Sequence, residues 1–309
     1  MNRFQANICL ILVTFCWSAE VIITACVPED VVPFALTSIT SLIGGCLLWF
    51  LFRGRIKKCI EAQSKKQILY CFGLSALNCV YNVLFMTGWK YFDVSSGAFL
   101  ICFTAVVMPF VLIVRRESVD KKTWLSSALI FCGVLCAIAG VVVRGQLPGL
   151  ILIIIGCAMR VVFTCMLNKY VKEYDPVVIS TFISLFVGVI AFVLWSVIQR
   201  NTFGAIEWEG TTIASLAVYS YFIIAFAQTV NIFAQRRTTV SNATVIYSVE
   251  IVFSIILGAV VPSMRIDPVK VTPRIILGLI FVVVGNLVEI ADFGKKKRLS
   301  EASTGGEAV

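Results

Sequence analysis

Glu20, Arg160 and Glu250 each stand inside an apolar run, at least nine residues from the next charge. An ionised side chain in hydrocarbon costs several kcal/mol, so each must face a cavity or an opposite charge. Arginine can grip a carboxylate through two parallel hydrogen bonds, and an intramembrane glutamate can meet an amine or take up a proton. At 1.5 Å rise per residue, Glu20 lies roughly 20 Å from one membrane face, and Arg160 and Glu250 each roughly 10 Å from the same face. Arg160 is therefore level with Glu250, and its extended side chain could also reach towards Glu20. Two readings stay open: a substrate site, or an ion pair that locks helices together.

Polar and aromatic residues recur at three- or four-residue spacing around these charges, so each set occupies one face of a helix. The sets are Thr14, Trp17, Glu20 and Thr24; Asn78, Asn82, Phe85 and Trp89; and Arg160, Thr164 and Asn168. Two more are Gln228, Asn231 and Gln235; and Tyr247, Glu250 and Ser254. Any one polar side chain in a membrane can simply bond two helices together. The convergence of five stripes favours a central cavity with Trp17, Phe85, Trp89 and Tyr247 as an aromatic wall. Trp89 also fits an interfacial anchor.

The elements that position these residues are membrane spans. The chain is 59% hydrophobic and 14% charged, with a mean hydropathy of +0.95. Apolar runs at 7–25, 31–52, 67–89, 97–114, 123–143, 149–167, 176–199, 212–233, 243–261 and 274–291 are each long enough to cross a hydrocarbon core of ~30 Å. The fourth is interrupted by Pro109. With the N-terminus inside, the basic residues collect in the cytoplasmic loops. Only Lys90, Arg144, Arg200, Arg265, Lys270 and Arg274 fall outside, which makes both termini cytoplasmic. The net charge of +9 is thus a topology signal, and nucleic acid is not an expected partner. A polar tail, 292–309, is expected to be disordered.

The spans repeat. The stretch Asn82–Ser118 returns at Gln228–Val261, with Val94-Ser95-Ser96-Gly97-Ala98 aligned on Val240-Ser241-Asn242-Ala243-Thr244. Trp17-Ser18-Ala19-Glu20 aligns on Ala158-Met159-Arg160-Val161, and Pro33 opens its span as Pro176 does. Ser126 and Gly133 match Gly278 and Gly285, small residues one heptad apart that let helices approach closely. Five is odd, so the second copy is upside down. The expected fold is all-α and integral to the membrane: ten helices as two inverted repeats, 7–143 and 149–291, with a midplane site where they meet.

Within this frame the stretch GWKYFDVSSGAFLICFTAVVMPFVLIVRRES, the segment FCWSAEVIITA and the Ala243–Glu250 stretch resemble EamA-type transporters of the drug/metabolite transporter superfamily. The resemblance spans nearly the whole chain. Thr40 stands where many relatives carry an arginine, Ile251 replaces the proline that usually follows Glu250, and no acid closely follows the ninth span as Glu117 follows the fourth. The resemblance implies a secondary transporter in an inner or plasma membrane, more often an exporter, moving a small amphiphilic metabolite such as an amino acid by alternating access. A lipid-carrier flippase and a non-transporting receptor or assembly protein are the alternatives on the same scaffold. The cavity residues expected to bind or couple are Glu20, Arg160, Glu250, Trp17, Asn78, Asn82, Phe85, Asn231 and Tyr247; the two acids could support proton coupling, which a uniporter would not need, and both modes stay open.

No enzyme, cofactor or metal is expected. The chain has no His, which removes His-based metal sites, triads and proton relays. No phosphate-binding loop occurs. Its 12 cysteines all precede Leu167, mostly within apolar runs, where a free thiol packs as a small apolar group.

Overall fold

In hydrocarbon a backbone must satisfy its own hydrogen bonds, and a chain this apolar does so by helices. The computed structural model describes residues 3–28, 30–62, 65–92, 94–138, 144–260 and 272–291. The expected tail at 292–309 and the repeat boundary at 139–143 lie outside these. The helices are α1 (Arg3–Cys26), α2 (Pro33–Ala62), α3 (Lys65–Trp89), α4 (Val94–Ile101), α5 (Phe103–Val114), α6 (Lys121–Ile138), α7 (Leu147–Tyr170) and α8 (Pro176–Ile198). Then come α9 (Gly210–Val218), a π-helical segment (Tyr219–Ala227), α10 (Gln228–Gln235), α11 (Val240–Tyr247), α12 (Glu250–Val260) and α13 (Pro273–Ala291). Counting α9 through α10 as one, 7 of them are long and apolar enough to cross a membrane. Large apolar side chains such as Phe50, Phe110, Val197 and Leu287 stand exposed on the outer surface, as a lipid-facing surface requires.

The helices pair reciprocally. α2 packs on α8 and α6 on α13, while α3 packs on α7, and α1 on the π segment, α10 and α12. The first pair is close because of glycine. A Cβ at Gly45 would lie 2.9 Å from the Leu185 side chain, and one at Gly188 2.6 Å from that of Leu42. Positions rise along α2 as they fall along α8, so the two run antiparallel. Arg55 and Asp175 close one end of this pair at 2.7 Å, with Asp175 also capping α8 through the Val177 N–H. The matched small residues of α6 and α13 behave alike: a Cβ at Gly133 would meet the Gly278 carbonyl at 2.6 Å, and one at Gly285 the Ser126 carbonyl at 3.0 Å. This pair is antiparallel too.

The fourth-span region departs from expectation. Pro109 lies inside α5 without ending it. A proline deprives the carbonyl four residues earlier of its helical donor, and here the Ser127 hydroxyl on α6 donates to that Ala105 carbonyl at 2.9 Å instead. The break falls at Cys102. There the ladder tightens to i−3 bonds, Cys102 N–H to Phe99 O and Ala105 N–H to Cys102 O, both 3.0 Å. The ninth region breaks in the same way, with Val249 N–H to Ile246 O at 3.1 Å and Val252 N–H to Val249 O at 3.0 Å. A hydroxyl or thiol from the other half covers each break. Ser18 of α1 donates to the Glu250 carbonyl at 2.8 Å, and Cys157 of α7 reaches the Leu100 carbonyl at 3.7 Å.

The glycine contacts give a stability test in detergent. Gly133→Ala should cost about 1–3 kcal/mol, because its Cβ would press on backbone that has no flexible end to move. Gly73→Ala, where nothing lies within 4 Å, should be neutral or stabilising by roughly 0.5–1 kcal/mol through helix propensity. Thermal unfolding of the two purified variants reads the difference; equal midpoints would refute the close-packing account.

Candidate functional site

The helix breaks and the charged residues meet at one place. A cavity of about 820 Å³, counting its part open to solvent, lies among α1, α3, α7, the π segment, α10 and the junction of α11 and α12. All nine residues expected to form it do line it: Glu20, Arg160, Glu250, Trp17, Asn78, Asn82, Phe85, Asn231 and Tyr247.

Arg160 projects from the middle of α7 into a box of groups. Its Nη2 lies 3.6 Å from Glu250 Oε2, and its guanidinium carbon lies 5.0, 5.7 and 6.0 Å from the ring centres of Trp17, Tyr247 and Phe85. A desolvated cation over an aromatic face gains about 2 kcal/mol, so the rings supply part of the solvation that water would give. At 3.6 Å the contact with Glu250 is an ion pair and too long for a hydrogen bond. Glu250 Oε2 accepts no hydrogen bond within the protein. The carboxylate sits in the first turn of α12, where the helix dipole favours a negative charge.

Of the two acids within Arg160's expected reach, Glu250 is the one paired. Glu20 instead accepts the Tyr219 phenol at 2.5 Å, and among the described residues no ion pair includes Glu20. Tyr219 lacks an equivalent in the stripes read from the sequence, and so does Tyr81 of α3, which accepts the Asn78 amide at 2.8 Å. Tyr81 was within reach of pattern reading, one turn from both Asn78 and Phe85. Tyr219 was not. Nine residues separate it from Gln228, which at 3.6 residues per turn puts the two about 180° apart. The wider i→i+5 turns of Tyr219–Ala227 bring both onto the cavity face.

The remaining polar residues divide into bonded and unbonded. Tyr247 donates to Asn231 Oδ1 at 2.5 Å and accepts from Gln235 Nε2 at 2.8 Å; Asn82 donates to Asn78 Oδ1 at 2.7 Å. Trp89 Nε1, Gln228 Nε2, Gln235 Oε1 and Glu250 Oε2 line the cavity and make no hydrogen bond within the protein. Buried polar atoms need partners, and the protein leaves these four without one. Four members of the expected stripes, Thr14, Thr24, Asn168 and Ser254, stand outside the lining. Thr14 bonds the Leu10 carbonyl one turn back in its own helix at 2.7 Å, while Asn168 bonds the carbonyls of Gln235 and Thr238 at 3.1 and 3.2 Å and so ties α7 to the end of α10.

Removing one partner of a buried ion pair strands the other, at a cost of about 3–5 kcal/mol. Arg160→Met alone should therefore lower the unfolding midpoint markedly, and adding Glu250→Gln should recover most of the loss. A double variant no more stable than the single one, measured by thermal unfolding in detergent, would mean that the pair contributes nothing to folding.

A solved crystal structure matches 96% of this chain and 99% of its own, at 14% identity and a TM-score of 0.72, and 28 chains of solved structures match in all. No curated protein matches by sequence. The sequence model of the EamA-like transporter family matches twice, over residues 5–139 and 147–288. With its long apolar helices and this double match, the chain is a multi-pass membrane protein that belongs to the EamA-like transporter family of the drug/metabolite transporter type, whose members are transporters rather than enzymes.

Proposed function

We propose that this protein is a secondary transporter that exports a small amphiphilic metabolite from the cytoplasm by alternating access around the cavity holding Glu20, Arg160 and Glu250. One observation carries the reading: charges, amides and aromatic rings from both halves of the chain converge on one cavity beside two broken helices. Discontinuous helices at the meeting of two repeats are how secondary transporters build substrate sites.

Ten spans follow when α4 with α5, α11 with α12, and α13 each cross once, alongside the seven long helices. The repeats are then 7–143 and 149–291, related by inversion. Two supports for inversion are the antiparallel packing of α2 on α8 and of α6 on α13, pairs that occupy matching places in the two repeats. The membrane in this reading is an inner or plasma membrane, and the placement of basic residues supports cytoplasmic termini at both ends. In this reading Arg160 and Glu250 take part in the site rather than only bracing it. Trp17, Phe85 and Tyr247 form its aromatic wall, and Asn78, Asn82 and Asn231 supply its amides.

Proteoliposomes loaded with a panel of labelled metabolites test the proposal. Wild-type protein should exchange at least one of them. The folded Arg160→Met/Glu250→Gln double variant should not, and Arg160→Lys should be slowed because one ammonium cannot replace a planar fork. Full exchange by the double variant would reduce the pair to a brace. Topology is checked separately, in protein stripped of its native cysteines. A cysteine at Lys58 or Lys172 should resist an impermeant thiol reagent added to intact cells, and one at Glu207 should react. The reverse pattern would overturn the orientation and with it the direction of export.

A further inference from the structure

The groups facing the cavity do not balance in charge. Glu20 and Glu250 are two carboxylates, and Arg160 is the one cation among the described residues that line it. Every other polar group on the lining is a neutral amide, phenol, indole or hydroxyl. Arg160 is also already engaged. Glu250 stands 3.6 Å from it, and three ring faces lie within 6.0 Å. An anionic guest would have to displace a carboxylate from this box to reach the guanidinium, and would then face Glu20. Glu20 is differently placed. It is half-buried on α1, held by the Tyr219 phenol, and has no Lys or Arg in ion-pairing reach among the described residues.

We infer that the cargo is a cationic amphiphile, an organic amine, whose charged head pairs with Glu20 while its apolar body lies on the adjoining wall. The wall suits such a body. Tyr219 opens the π segment, and Ile223 and Ile224 of that segment line the same cavity, with Met86 of α3 facing them. Trp17 lies one helical turn before Glu20 and offers an aromatic face, and rings attract cations as well as apolar groups. The Tyr219 hydrogen bond fixes the direction of the carboxylate, so a head group meets a preoriented acceptor rather than a flexible one. The unbonded Gln228 Nε2 and Gln235 Oε1 are left to meet neutral polar groups. This inference rests on the transporter reading and narrows it: a net positive charge separates the cargo from a zwitterionic amino acid.

Three probes with one indole ring and different charges test it: tryptamine, tryptophan and indole-3-acetate. Binding is measured by isothermal titration on the full-length protein in detergent at neutral pH. Tryptamine should bind more tightly than tryptophan, and indole-3-acetate should bind least. Loss of a charge-assisted contact weakens affinity by roughly tenfold or more, so Glu20→Gln should weaken tryptamine by that factor while leaving tryptophan and indole-3-acetate less affected. Glu250→Gln frees the Arg160 box and should shift preference towards indole-3-acetate. The inference is overturned if the anion binds as well as the amine, if none of the probes binds, or if Glu20→Gln leaves tryptamine affinity unchanged. The wild-type series decides even where a variant fails to fold. Proteoliposome exchange of the same probes keeps the two claims apart. Exchange of indole-3-acetate without tryptamine would sink the charge argument and leave transport standing. Tryptamine binding without exchange of any probe would do the opposite.

Discussion

A guanidinium within a membrane protein must be solvated by the protein itself, and the centre of this fold is arranged around doing so for Arg160. Its charge draws on the carboxylate of Glu250 and the faces of Trp17, Tyr247 and Phe85. These come from three separate regions of the chain, α1, α3 and the junction of α11 and α12, and Arg160 itself from a fourth, α7. Helix association in lipid lacks the hydrophobic drive available in water, so a buried charge that needs groups from several helices also specifies how those helices sit. The ion pair at 3.6 Å is longer than a hydrogen bond, so charge rather than direction holds it.

The two helix breaks bear on the same centre. An interrupted helix leaves carbonyls and N–H groups that lipid cannot satisfy, so both breaks have to be buried against protein. Each is met by the first helix of the opposite half, through Ser18 in one case and Cys157 in the other. The thiol is the weaker donor and the longer contact, so the two joints are alike in place and unequal in strength. The joint at Glu250 is tied more firmly, on the side that also holds the ion pair.

Much of this was legible in the sequence, because charge inside an apolar run is a strong signal and helical spacing a regular one. Glu20, Arg160 and Glu250 stood out as costs that the fold had to offset, and the stripes through Trp17, Asn78, Asn82, Phe85, Asn231 and Tyr247 pointed to the face that does so. What escaped was local backbone geometry. Tyr219 reaches the cavity only because its segment winds as a π-helix, which no 3.6-residue periodicity anticipates. Pro109 misled in the opposite direction. The sequence marks a missing donor, while the compensating hydroxyl of Ser127 sits on a helix whose proximity is set by tertiary packing. Cys102 carries no residue-level mark of a break at all. Its signal lay in the alignment with the ninth region, where the same tightening recurs just before Glu250.

The repeat explains why the site can be asymmetric. The paired α2 and α8, and α6 and α13, keep matched small residues and matched close approaches, so the packing of the frame repeats. The chemistry does not follow it. Ala19 aligns with Arg160, and Val161 with Glu20, so neither charge has a copy in the other half. A charge set copied in both repeats would bring like charges to one cavity, where they would repel in a medium of low dielectric. Placing Glu20 on α1, Arg160 on α7 and Glu250 at the second break avoids that repulsion. The result is one ion pair and, among the described residues, one carboxylate facing the cavity with no cation in ion-pairing reach. The repeat is therefore kept in the packing of the helices and not in the charges between them.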